Sequence, residues 1–321
     1  MQLLEFIPLY MERLWGGRVF ESKLGRKLPE GKQFGESWEI VDRPDQQSIV
    51  ASGPLAGQTL RELLTHSASK IMGPHYDPQR PFPILIKWLD CHKRLSLQVH
   101  PSIEIAAELK GEPKTENWYI ADADSKASII AGLRPNVTRE LFERAMAEGT
   151  LENCVQTLPT NAGDHILIKS GCIHAINAGN LILEIQQNSD TTYRLDDWNR
   201  LGLNGKPQQL HMHKALQSIN FSMPQAKLHK ADADRTVIAD CKEFRIQKFN
   251  LTPDDVPITF PSHEQPRLLH IVSGSLYDLV SGQNLEHSKN YLQPHTTELS
   301  LVAKKKTTLL VTDKFLAQDD S

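Results

Sequence analysis

Most of this chain is written in short apolar runs fenced by turn residues, and that punctuation restricts the folds open to it. PFPILIKWLD, RLSLQVHP, NWYIADA, ASIIAGL, DHILIKSG, NLILEIQQ and TTYRL fill much of the stretch from Pro81 to Leu195. The C-terminal third continues in the same style with FRIQKFNL, PRLLHIVSGSLYDLV, TELSLVA and TTLLVT. Runs of this length, bounded by Gly, Pro, Asn and Asp, read as strands. Many of them at close spacing predict a mainly β chain built of antiparallel sandwiches or barrels. The break at Pro224 divides the chain into a first unit over 1–225 and a second strand-rich unit over 226–321.

Helical signals are fewer. TLRELLTH opens on a capping box, with Thr59 three residues before Glu62. SIEIAAELKG has Ser102 to start a helix and Gly111 to stop it. TRELFERAMAEG sets Leu141, Phe142, Ala145 and Met146 on one face and stops at Gly149. LENCVQTL reads as a further short helix running up to Pro159, and LHMHKALQSINF as another. The first unit is thus expected to carry a small helical insertion over about 102–160.

A net charge of −3 gives no reason to expect nucleic acid or an anionic membrane as partner. The N-terminus meets acidic Glu5 before any basic residue, unlike a signal peptide, and no apolar stretch approaches the length of a membrane span. Cys91, Cys154, Cys172 and Cys241 form no CxxC pair and read as thiols of a reducing compartment, so the protein is expected in the cytoplasm.

Three segments offer metal ligands: LSLQVHP with Gln98 and His100, KTENWY with Glu116, and GCIHAI with His174. Gln98 and His100 share a strand face because side chains alternate with period two. Two imidazoles and one carboxylate suit Zn²⁺, Mn²⁺ or Fe²⁺, and leave coordination positions open, as a catalytic ion requires. The glutamine carbonyl is a weaker fourth candidate. Against this stands the ordinary reading of each histidine as a hydrogen-bonded polar residue on a strand.

A second group lies in LILEIQQNSDTTYRLDDW. Glu184 and Gln186 share a strand face with Ile182, while Leu181, Leu183 and Ile185 take the other. Such a strand is either half exposed or lines a polar cavity. Glu184 and Arg194 beside a metal could handle a proton and a developing negative charge; a purely structural arginine–carboxylate pair is the alternative. Lys114, two residues before Glu116, reaches the same site if the segment is extended, and would then attract a phosphate; otherwise it is a surface lysine. His211 and His213 form an HxH pair, but on a helix residues two apart do not share a face. ADADS and ADADR lack the glycine and spacing of a calcium loop. Lys304–Lys306 reads as a surface run, and no GxGxxG, P-loop or GxSxG is present.

LSLQVHP, KTENWY, GCIHAINAGN and EIQQNSDTTYRLDDW, in that order and preceded by WGG at Trp15–Gly17 and GESWEI at Gly35–Ile40, together resemble the type I phosphomannose isomerases in their shorter bacterial form. The resemblance runs from Leu14 to about Leu210. It implies two cupin-like jelly-roll β-sandwich domains, the first bearing a metal and the second none. It also implies interconversion of mannose 6-phosphate and fructose 6-phosphate through an enediol, with one bound zinc. By motif position His100, Glu116 and His174 are the implied ligands, with Gln98 matching the fourth ligand of the family's longer members. Arg194 matches the arginine treated as catalytic, Glu184 a site carboxylate and Lys114 a site lysine. The proton-transfer base stays open among Glu184, Lys114 and a metal-bound hydroxide. The partner is a small sugar phosphate, and the chain is expected to be a monomer or weak homo-oligomer. Departures from the pattern are Lys169-Ser170 before GCIHAI, Asp196 in YRLDDW, Asn117 in ENWY, and the missing Gly-Asp turn in SGQNLEHSKNYLQPH. Two His and a carboxylate also suit a non-haem iron dioxygenase, and a non-catalytic sugar-phosphate-binding cupin is the third alternative.

Overall fold

The computed structural model describes residues 1–230 and 233–316. The described residues form three large antiparallel sheets, in keeping with the β-sandwich expectation. The first has seven strands in the order His229–Lys230, Asp164–Ile168, Glu116–Ala123, Asn180–Gln187, Ile84–Cys91, Phe34–Ile40 and Leu9–Gly17. The second has five: Val155–Pro159, Ser128–Leu133, His174–Ile176, Leu97–Val99 and Tyr193–Asp196. The third, in the C-terminal region, has eight strands, dominated by Arg267–Asp278 and Leu299–Asp313.

Alternation along the strands decides how the sheets stack. Ile182, Ile120 and Leu89 of the first sheet pack with Ile129, Ala131 and Ile176 of the second. Leu181, Leu183 and Ile185 face the other way, against Leu60, Leu63 and Leu64 of the helix Leu60–Ile71 and against Leu268, Leu292 and Leu310 of the third sheet. The outer face of the second sheet is covered by Phe142 and Ala145 of the helix Arg139–Glu148 and by Ala215 of the helix Met212–Ser218. The sheets are tied by exchange at their ends. Leu4–Glu5 pairs with Tyr291 and Leu292 of the third sheet, and His229–Lys230 with Asp164 and His165 of the first.

WGG and GESWEI meet where the outermost strands of the first sheet pair. A Cβ on Gly16 would lie 2.3 Å from the Gly35 nitrogen, so the two backbones approach as only glycine permits.

Several local expectations need correction. LENCVQTL is not a helix: a 3₁₀ turn over Leu151–Cys154 gives way to the strand Val155–Pro159, which adds an edge to the second sheet. Pairing with Ser128–Leu133 wins over a helix too short to persist alone. The helix after Ser102 covers only Ile103–Ala106, although the chain keeps turning until Gly111 bonds back to Ala106. Leu141 is 46% exposed, so the buried face of its helix is Phe142 and Ala145. TELSLVA and TTLLVT are one strand, Leu299–Asp313, running through the exposed lysines. The capping box at Thr59 and Glu62 forms as read, and the left-handed Gly149 ends its helix. ADADR begins with Ala231 and Asp232, which lie outside the described residues. No described helix is long and apolar enough to cross a membrane.

Candidate metal centre and its cavity

Cross-strand register assembles the site. In the second sheet His174 lies directly opposite Gln98, and Gln98 opposite Arg194 on its other side. In the first sheet Glu184 lies between Trp118 and Lys87, and Gln186 beside Glu116. The left-handed turn at Gly171 links two ligand segments, its N–H donating to the His100 carbonyl at 2.9 Å.

His100, Glu116 and His174 each offer a ligand atom within 4.8 Å of the others, and all three side chains are buried. Glu116 Oε1 lies 3.7 Å from His100 Nε2 and 3.4 Å from His174 Nε2. The other nitrogen of each ring is committed: Nδ1 of His100 donates to the Thr191 carbonyl and Nδ1 of His174 to the Cys172 carbonyl, both at 2.8 Å. A carbonyl only accepts, so in both rings the proton sits on Nδ1 and Nε2 presents a lone pair, met in His174 by the Gln98 amide. His100 Nε2 and Glu116 Oε1 are buried with no hydrogen-bond partner among the described residues. Unpaired acceptors converging in a dry interior are costly unless a cation joins them, so these residues fit a divalent metal.

Electrostatics agree. Burial, with Lys114 nearby, pushes the His100 imidazole down to about 3, and burial lowers His174 too, so both stay neutral. Burial alone would raise Glu116, but the Lys114 ammonium beside it holds its carboxyl well below the usual range. Lys114 Nζ lies 2.7 Å from Glu116 Oε2. Burial opposes its charge, yet Glu116 and Glu184 outweigh burial and raise its pKa. Lys114 is therefore a buried ammonium, and the surface-lysine alternative is set aside. The Gln98 amide N–H lies 3.3 Å from His174 Nε2, at the edge of the cluster.

Lys114 and Gln98, which touch Glu116 and His174, also line a cavity of about 550 Å³ together with Trp118, Glu184 and Arg194. Glu184 accepts from the Trp118 indole at 3.0 Å and lies 3.6 Å from Lys87 Nζ. Burial raises its carboxyl to about 7, with Lys114 pulling the other way. Arg194 is not paired with Glu184, so the structural-pair alternative is also set aside. Its Nη1 donates to the Gln209 carbonyl at 3.1 Å. Arg13, Lys87 and Lys114 on the same walls each face a carboxylate. Among the described residues Arg194 has no carboxylate within ion-pair distance, which leaves its charge for a ligand.

The sequence reading passed over Lys87, Glu36 and Arg13. Arg13 and Trp38 donate to Glu36, which they and Lys87 hold down at about 2 against burial. The available signal was Lys87 itself, a charge in the middle of a mostly apolar strand whose other charged residue, Asp90, lies near its end. A second cavity, about 360 Å³ and lined by Tyr76 and Phe315, shares no residue with the first.

The family model for the phosphomannose isomerase type I catalytic domain matches residues 3–145. The mannose-6-phosphate isomerase ManA of Bacillus subtilis is 36% identical over 254 residues, covering 77% of this chain and 79% of that protein. This chain belongs to the type I phosphomannose isomerase family. The mannose-6-phosphate isomerase of Streptococcus mutans is 33% identical over 262 residues, covering 76% of this chain and 79% of its own. The crystal structure of mannose 6-phosphate isomerase from B. subtilis superposes with a TM-score of 0.86 at 27% identity, over 98% of this chain and 100% of that one. The likeness therefore extends through the C-terminal sheet, and the fold is the cupin architecture of the type I phosphomannose isomerases.

Proposed function

We propose that this chain is a zinc-dependent aldose–ketose isomerase that interconverts D-mannose 6-phosphate and D-fructose 6-phosphate through an enediol. The observation that carries the reading is the meeting of His100 Nε2, His174 Nε2 and Glu116 Oε1 beside residues that line a polar cavity. These three would hold the ion, with Gln98 as fourth ligand once its amide is turned to present oxygen. Two imidazoles and a carboxylate suit zinc as they suit Mn²⁺ and Fe²⁺, and zinc is the ion the family resemblance implies. The bound ion supplies Lewis acidity toward the sugar's C1 and C2 oxygens.

The remaining chemistry belongs to the chain. Glu184, ionising near neutrality, takes the C2 proton of the open-chain aldose and returns it to C1. The electron pair left by the C2–H bond forms the C1=C2 double bond while the C1 carbonyl pair moves onto O1. A proton passes from O2 to O1, C2=O forms, and return of the carbon-bound proton to C1 completes the ketose. The Trp118 indole fixes the Glu184 carboxylate during both transfers. Lys114, kept protonated by its carboxylate neighbours, acts as a cation and hydrogen-bond donor and not as the base. Arg194, the cavity cation without a carboxylate partner, meets the phosphate or the oxyanion.

Residues 1–225 would carry this site, the span of about 102–160 adding the helices Ile103–Ala106 and Arg139–Glu148 between strands of its two sheets, and 226–321 would form the second β domain without a metal. A monomer or weak homo-oligomer in the cytoplasm fits four free cysteines, three of them buried. The test is turnover of mannose 6-phosphate by chelator-stripped protein with and without Zn²⁺. Zinc-restored turnover supports the reading; folded protein inactive with every divalent ion tested overturns it.

A further inference from the structure

Tyr193–Asp196 is an edge strand of the second sheet, and its pairing with Leu97–Val99 shifts register just after Arg194. An edge strand leaves alternate backbone groups without a strand partner. At Arg194 one residue takes both. The Arg194 N–H donates to His211 Nδ1 at 3.2 Å, and the His211 N–H donates to the Arg194 carbonyl at 2.8 Å. Two residues earlier, the Gln209 carbonyl accepts from the Arg194 guanidinium at 3.1 Å. Backbone and side chain of Arg194 are thus gripped by one short segment.

The segment is itself anchored. His211 is not helical, with φ −124° and ψ 45°, but its carbonyl accepts from Ala215, which is buried in the core of the second sheet. Reading His211 as a helical residue, set apart from His213 only by face, misses this. His211 and Arg194 both line the cavity.

We propose that His211 is a positioning residue, which holds Arg194 at the sugar-phosphate site through an unprotonated Nδ1. The inference rests on the isomerase reading given above. An amide donor requires a lone pair on Nδ1, so the neutral ring carries its proton on Nε2. Burial lowers the imidazole's pKa, and Arg194 and Lys214 lower it further, which agrees with a neutral ring.

Asparagine and glutamine separate this role from general packing, because Asn places an acceptor near the position of Nδ1 and Gln near that of Nε2. In the zinc-loaded full chain, His211→Ala and His211→Gln are expected to lower kcat/KM for mannose 6-phosphate by about ten- to a hundredfold. His211→Asn should recover most of that loss. In an Arg194→Ala background the three variants should become equivalent, since no guanidinium remains to be positioned. If the alanine variant does not fold, the Asn and Gln pair carries the comparison. Asn no better than Gln, or His211 effects undiminished without Arg194, overturns the proposal. Long-range ¹H–¹⁵N NMR of the labelled imidazoles reads the tautomer without any turnover. A proton on Nε2 with Nδ1 bare is expected, and a proton on Nδ1 overturns the clamp. Inactive wild type would count against the isomerase reading alone, because the tautomer still decides the contact.

Discussion

At the scale of single residues, the cluster is prepared for a cation by what lies behind it. Each imidazole is locked through Nδ1 to a backbone carbonyl, so the orientation of Nε2 does not depend on the ion. His174→Ala removes one ligand. Metal content by elemental analysis and turnover should fall together, turnover by at least about a hundredfold. Activity that survives without metal would remove the cluster from the mechanism. Glu184→Gln tests a different group. It keeps the shape and the Trp118 hydrogen bond but cannot accept a proton. Metal binding should persist while kcat falls by about a hundred- to ten-thousandfold. An unchanged kcat would show that another group moves the proton.

At the scale of elements, register carries most of the design. A one-residue slip of Leu97–Val99 would turn Gln98 to the opposite face of its sheet. The helices Arg139–Glu148 and Met212–Ser218 hold that sheet flat against its partner by covering its outer face. Phe142 is fully buried there and meets Phe221 edge-on at 5.7 Å between ring centres. Phe142→Ala should destabilise the fold by about 3–5 kcal/mol, since the cavity it leaves is walled by strands that cannot collapse. Urea unfolding measures this, and an unmoved midpoint would mean the helix contributes nothing to cooperative stability. The short strand Val155–Pro159 shows the same dependence on context, because a neighbouring edge recruited a segment whose local pattern permits a helical turn.

At the scale of the whole molecule, a buried polar chain joins the first sheet to the third. Arg26 lies 3.0 Å from Glu39, and Asn290 donates to the same carboxylate at 3.1 Å. That bond turns the Asn290 oxygen toward His270 Nδ1 at 2.8 Å, while Thr312 serves Nε2 at 3.0 Å. Burial lowers the His270 pKa to about 4 against the opposing effect of the Asn290 hydrogen bond. His165 is also lowered to about 4, by burial and by His229. A histidine that ionises near pH 6.5 when unfolded and lower when folded takes up a proton on unfolding. Its contribution is complete above about pH 6.5 and is lost as pH falls toward 4. The melting temperature should drop through that window, and His270→Gln should flatten part of the slope. Glu36, held at about 2, loses its contribution only below about pH 4.5, but Glu184, raised to about 7, acts in the same window with the opposite sign. The comparison is therefore made in a Glu184→Gln background, where a pH-independent melting temperature from 7 down to about 5 would contradict it.

The strands, the capped helix at Thr59 and the candidate ligands were legible along the chain because each is a local property: a period of two, a capping box, a histidine or carboxylate at the end of a run. Lys114 and Glu116 could be placed together for the same reason, two residues apart on extended chain. What neighbours across the sheets did was not legible. Glu184 is set against Lys87 and Trp118 and not against Arg194, and His211 reaches Arg194 from outside a helix; neither follows from spacing. Strand register and burial are set by side chains far apart in sequence. The sequence by itself therefore determined which groups could do the chemistry, and the tertiary structure decided which of them are charged, which are paired, and which are left free for a substrate.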